Sequence, residues 1–219
     1  DNVFLSLLKP ESFTPVLALI GVILYMFVKD RKKKDIGLIL LGFSVLMFGM
    51  EMMAGSVEPL KDNEAFVRVL TVFEQPILGV IAGTVVTAIV QSSSASVGIL
   101  QALTFTGSIS NGTAIPIIMG QNIGTCVSAL ISSIGANKNA KRAAFIHLYF
   151  NVIAASVLLI IFYCVKAFLP SEILAQPATA LSIAVIHTVF KLIALAMLMP
   201  FTNQLEKLAC LTVRDSEEK

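Results

Sequence analysis

From Gln75 to Asn137 the chain reads QPILGVIAGTVVTAIVQSSSASVGILQALTFTGSISNGTAIPIIMGQNIGTCVSALISSIGAN, without one Asp, Glu, Lys, Arg or His. A charged side chain centred in a bilayer costs about 3 kcal/mol, so lipid solvation selects for windows of this kind. A second window, Ala143 to Val165, holds only His147. Charged residues make up 14 % of the whole chain, against about 25 % in soluble domains. The uncharged stretches are far longer than a soluble core requires, and the reading is an all-α integral membrane protein.

Working outward, the apolar runs separate at charge clusters. Ser12 to Val28 just reaches across a hydrocarbon layer about 30 Å thick, and it ends in Lys29-Asp30-Arg31-Lys32-Lys33-Lys34. The next run extends from Ile36 to about Val57, with Glu51 near its far end. Gly55 to Arg68 is polar enough for an outer loop or surface helix. Beyond the long window, Lys138, Lys141 and Arg142 precede two more spans, Ala143 to Phe168 and Ala178 to Met199, and a charged amphipathic tail. Basic residues favour the cytoplasmic side. Five spans place Arg31–Lys34, Lys138–Arg142 and the tail with Lys207 and Arg214 on that side together. Two full spans around Gln91 would preserve that parity, so helix length decides how that segment is read. The expected organisation is residues 1–75, an N-terminal pair and outer loop; 76–155, the polar-interrupted core; 156–202, the last helices; and 203–219, a cytoplasmic tail.

The long window carries internal punctuation. Pro76 to Val90 and Ala95 to Phe105 are each too short to cross, and Gln91-Ser92-Ser93-Ser94 lies between them. Two half-length helices meeting at a polar tip form a re-entrant hairpin, followed by the turn cluster Gly107 to Gly112. Gly79 and Gly83, spaced as GxxxG, let its arms or a neighbouring helix approach closely. Thr113 to Ala136 is long enough to cross, with Gly120-Gln121-Asn122-Ile123-Gly124-Thr125 expected to break it near the middle. Polar backbone at membrane depth survives where protein or water reaches it, and broken helices there are recurrent transporter sites. Hydroxyl and amide oxygens suit a hard cation such as sodium. A helix N-terminus suits an anion. The plainer alternative is that these Ser, Thr, Asn and Gln residues only pack helices together.

Taken in this order, Gln91-Ser92-Ser93-Ser94, then Ile115 to Thr125, then a basic loop and His147-Leu148-Tyr149-Phe150-Asn151 resemble the type II sodium-dependent phosphate cotransporter family. The resemblance is detailed over roughly Pro76 to Ala155. It implies sodium-coupled symport of inorganic phosphate, with Gln91, Ser92, Ser93 and Ser94 lining the site. Asn122 and Thr125 would face them, and Thr87, Gln121 and Asn151 would support them. Sodium, the coupling ion and no cofactor, would be held by Gln91, Ser92, Asn122 and Thr125. The family usually has a small residue where Gln121 stands. It carries these motifs twice, in inverted repeats, whereas this chain has one QSSS and one GxNIGT. The expectation is therefore the second repeat of the bacterial kind often followed by a PhoU-like domain, completed by the other repeat or by a homodimer partner. It would sit in the cell membrane with its C-terminus cytoplasmic, handling phosphate and sodium among lipids, with no nucleic acid. The alternatives are a membrane anchor or regulatory module of a phosphate-responsive protein, or a transporter of another anion.

Other features carry less. Ser94-Ala95-Ser96-Val97-Gly98 approximates a hydrolase nucleophile elbow, but its first glycine is missing and no strand precedes it, so no enzyme is expected. Cys126, Cys164 and Cys210 are far apart in sequence and read as packing residues. His187 and Lys191 share a face of the last span. Lys191 either neutralises an anion, pairs within the bundle or snorkels.

Overall fold

The computed structural model describes residues 10–57, 59, 63–65, 72–73, 75–166 and 171–214. Among them every named element is a helix. The chain divides into two compact units, Asp1–Pro59 and Leu60–Lys219. Half of the expected outer loop, Gly55 to Arg68, lies outside the described residues, as do residues 215–219.

The first unit is a helical hairpin of α1 (Pro10–Phe27) and α2 (Arg31–Val57). The basic cluster belongs to α2 rather than to the loop before it. Asp30 makes this possible: its carboxylate accepts from Lys32 N at 2.9 Å, a negative cap against a helix end that would otherwise repel lysines. Gly21 and Gly37 mark the close crossing, where a methyl on either would lie within 3 Å of the other's carbonyl. Glu51 is exposed on α2.

The second unit contains α3 (Pro76–Val90), α4 (Ser93–Leu103), α5 (Asn111–Gly124), α6 (Cys126–Ser132), α7 (Lys138–Lys166), the short α8 (Ser171–Ala175), α9 (Ala180–Leu198) and α10 (Thr202–Thr212). Four stretches are long and apolar enough to cross a membrane: Arg31–Met53, Asn111–Ser132, Lys138–Lys166 and Ala180–Thr212. Phe13–Phe27 and Pro76–Val90 are apolar but shorter. The chain is an all-α, multi-pass membrane protein.

One expectation needs correction. The Gly120–Thr125 motif parts the span at its last residue, where α5 gives way to α6, but it does not unwind it. α5 runs through it to Gly124, and Thr125 keeps helical angles, φ −62° and ψ −23°. The glycines serve close packing, not unwinding. A Cβ on Gly83 would collide with the Ile117 carbonyl, and one on Gly120 with the Val80 carbonyl. Thr84 Oγ1 reaches across to the Gly120 carbonyl at 3.1 Å. The partner of the GxxxG face is thus α5, which crosses α3 backbone to backbone.

Apolar packing surrounds this pair. Leu100, Ile109, Ala114, Ile117, Ile118 and Ile183 form one buried cluster. Met119, Ala154, Leu158, Phe190, Ala194 and Leu198 form another, joining α5, α7 and α9. The turn after α4, with Gly107 left-handed at φ 69°, is tied to the start of α9 by Ala178 N donating to the Ile109 carbonyl at 2.7 Å. Gln101 Nε2 donates to the Ala180 carbonyl at 2.9 Å. Thr179 and Ser182 form a reciprocal capping box that starts α9. At the other end α10 packs on α7, with Leu205 and Ala209 buried. Arg142 donates to the Val213 carbonyl at 3.0 and 3.1 Å, and the Tyr149 and Thr212 hydroxyls meet at 2.6 Å.

Candidate functional site

The first polar interruption is a sharp break. α3 ends at Gln91, the one non-glycine residue among those described with a positive φ (55°, ψ 20°). A left-handed side-chain-bearing residue costs roughly 1 kcal/mol or more, and such strain concentrates at functional sites. Gln91 N still donates to the Thr87 carbonyl at 2.7 Å, closing α3. Ser92 is extended and its Oγ accepts from Ala95 N at 3.3 Å, an N-cap that starts α4. Capping takes one of the amides orphaned at a helix start and leaves others free. Gln91, Ser92, Ser93 and Ser94 are all exposed. A run of four exposed polar residues thus stands between two apolar helices.

The second interruption is buried inside a helix. Gln121 is 3 % exposed and Asn122 0 %. Asn122 Nδ2 donates back to the Ile118 carbonyl at 2.8 Å, and Thr125 Oγ1 donates to the Asn122 carbonyl at 2.6 Å. Gln121 Nε2 donates to the Ser96 carbonyl at 2.9 Å, tying α5 to α4. The carbonyl oxygens of both side chains, Gln121 Oε1 and Asn122 Oδ1, have no hydrogen-bond partner. Leaving a buried acceptor unpaired costs about 1–3 kcal/mol, so two in succession demand an explanation.

Ser96, which carried no expectation as a site residue, is the hinge between these motifs. Its Oγ meets Thr87 Oγ1 at 2.6 Å while its carbonyl takes the Gln121 amide. Both hydroxyl-bearing residues are fully buried. The sequence signal for Ser96 was its position one helical turn after Ser92. Of the expected residues, Thr87 and Gln121 converge on Ser96. Asn122, Thr125 and Asn151 gather elsewhere: Cys126 Sγ contacts the carbonyls of Asn122 (3.8 Å) and His147 (3.5 Å), and Asn151 Nδ2 donates to the same His147 carbonyl at 3.0 Å. Gln91, Ser93 and Ser94 make no side-chain hydrogen bond to α5 or α6 among the described residues.

The side chains of the two motifs offer only neutral hydroxyl and amide oxygens as ligands, and among the described residues no three His, Cys, Asp or Glu converge. Oxygen-only donors fit a hard cation better than a transition metal. The arrangement can therefore offer oxygens to a monovalent cation and helix-start amides to an anion.

The family described as Na+/Pi-cotransporter matches the chain over residues 2–55 and 45–200. The "Uncharacterized protein YqeW" of Bacillus subtilis is 28 % identical over 198 residues, covering 89 % of this chain and 63 % of that protein. The "Putative inorganic phosphate export protein YjbB" of Escherichia coli K12 is 24 % identical over 206 residues, covering 94 % of this chain and 37 % of its own length. The "Sodium-dependent phosphate transport protein 2A" of Rattus norvegicus is 35 % identical over 123 residues, 52 % of this chain and 18 % of that protein. The chain thus spans less than two thirds of the curated relatives it matches. No solved structure matches it.

Proposed function

Because the chain belongs to the Na+/Pi-cotransporter family, we propose that it supplies one half of a sodium-coupled phosphate symporter. The observation that carries this reading is the exposed Gln91-Ser92-Ser93-Ser94 run, held at a strained helix break on an apolar surface. Polar residues displayed toward lipid would be costly, whereas facing a second half they would line a shared, wet site.

In this reading α3 and α4 form a re-entrant hairpin whose tip is Gln91–Ser94. At about 22 Å and 16 Å by the helical rise, neither arm crosses a layer about 30 Å thick. The Ser92, Ser93 and Ser94 hydroxyls and the first α4 amides receive phosphate oxygens, with the positive end of the helix dipole behind them. Sodium is held by oxygens of Gln91, Ser92, Asn122 and Thr125, with Thr87, Gln121 and Asn151 as supports. The unpaired oxygens of Gln121 and Asn122 support a cation position on the α5 side. No bond is made or broken; binding of both ions drives alternating access, with the other repeat or a second copy completing the site. That the family matches twice, sharing residues 45–55, supports a chain that runs from the end of one repeat through another. The protein acts in the cell membrane with α10 on the cytoplasmic side.

A second reading changes only direction, and rests on the Escherichia coli relative, whose printed name says export. Proteoliposomes containing the protein with both repeats test both. Labelled phosphate uptake that saturates and requires an inward sodium gradient supports symport. Phosphate efflux independent of sodium would replace it, and no phosphate movement in either direction would refute transport of this anion.

A further inference from the structure

Lys191 is the one fixed charge midway along an apolar helix of the second unit among the described residues. No Asp, Glu, Lys or Arg occurs from Gln75 to Asn137 or from Ala143 to Val165, and α9 (Ala180–Leu198) contains no charge besides Lys191. No carboxylate is available on any of these helices to balance it. Lone ammonium groups in a membrane interior are expensive and persist for a function.

Its position argues against snorkelling into lipid. At about 100° per residue, the buried stripe of α9 runs through Ile183, Phe190, Ala194 and Leu198. Lys191 falls roughly 60° from the centre of that stripe and roughly 120° from the opposite, lipid-facing side. An apolar groove of about 450 Å³, lined by Met119, Phe162, Val189 and Ile193, opens on the other flank of the same stripe. Lys191 therefore faces away from the greasy groove. Its neighbours confirm the direction: it lies within electrostatic reach of His187 on its own helix, of His147 on α7 and of Cys126. Cys126 is 0 % exposed and sits directly after Thr125, where α5 gives way to α6. Lys191 thus lies on the flank of α9 nearest the junction where Asn122, Thr125 and Asn151 gather, exposed at the surface of this unit.

We propose that Lys191 supplies the positive charge that holds the transported oxyanion, its three donors engaging the anion from the α9 side. This rests on the transport reading above. An ammonium is a compact point charge that suits a small oxyanion without dictating a bidentate geometry. It also repels sodium, so the cation sits apart from the ammonium, among the neutral oxygens of the sodium site proposed above.

The test compares the intact protein with Lys191→Met, Lys191→Gln and Lys191→Arg in proteoliposomes, reading phosphate uptake against phosphate and sodium concentration. Removing the charge should raise the phosphate KM about ten- to a hundredfold in both neutral variants, the loss expected for a charged hydrogen-bond partner. Lys191→Arg should stay within about threefold of the original, and half-saturation by sodium should not move. An unchanged KM in either neutral variant overturns the proposal. So does an Arg variant as poor as the neutral ones, which would assign Lys191 to packing. Absence of phosphate uptake by the unaltered protein would instead strike the transport reading itself, and the two failures are told apart by that control.

Discussion

The two polar motifs of the second unit use similar residues to opposite ends. Gln91–Ser94 breaks its helix, adopts a strained left-handed turn and remains exposed. Gly120–Thr125 keeps its helix, buries its amides and leaves two oxygens unpaired. Motif chemistry alone does not decide whether a helix breaks; what packs against it does. At residues 120–124 the α3 backbone presses so closely that the chain keeps its helical path. At Gln91 the helix reaches the edge of that contact, and the serines that follow cap the next helix instead.

That contrast can be broken most decisively at the exposed motif. Replacing Ser92, Ser93 and Ser94 together with Ala should abolish phosphate uptake, about a hundredfold or more for several lost oxyanion contacts. Membrane insertion should be intact, checked by expression and size-exclusion profile, and near-normal uptake would sink the assignment of the site. At the buried crossing the effect should fall on stability instead. Gly83→Val forces a branched side chain into the Ile117 carbonyl and should destabilise the fold by about 3 kcal/mol or more, seen as a lower melting temperature in detergent. Gln121→Ala removes the tie to the Ser96 carbonyl and should cost about 1–2 kcal/mol. It should also weaken half-saturation by sodium while sparing the phosphate KM; a change confined to phosphate would reverse the division between the two motifs. Smallest of all, Thr87→Val breaks one hydroxyl pair with Ser96 and should cost about 0.6 kcal/mol, as interhelical hydrogen bonds in membranes do.

The spans were legible because charge is expensive in lipid, so their limits are written as gaps between charged residues. Pro76–Val90 emerges with the bounds read from sequence, since Pro76 can start a helix and Gln91 departs from one. The starts of α2 and α7 lie several residues earlier than expected, because basic residues can be helical outside the hydrocarbon. The α5 path was misread at Gly120 and Gly124: glycine there answers to a neighbour distant in sequence, and nothing local distinguishes a packing glycine from a breaking one. Ser96 was missed for a similar reason, since its importance comes from Thr87 and Gln121 arriving from two other helices. The residues on display at the break, Gln91 to Ser94, were the most readable part of the site, as exposed function depends least on what packs around it.

Gly83, Gly120 and Gly124 leave no slack between α3 and α5. A slide of one residue along either axis would set a side chain against a carbonyl where only hydrogen now fits. The pair therefore behaves as a keyed joint, locked in register like a tooth in a rack. Any alternation between outward and inward states must carry α3 and α5 together as one rigid plate, and the compliance it needs must come from the rim of that plate.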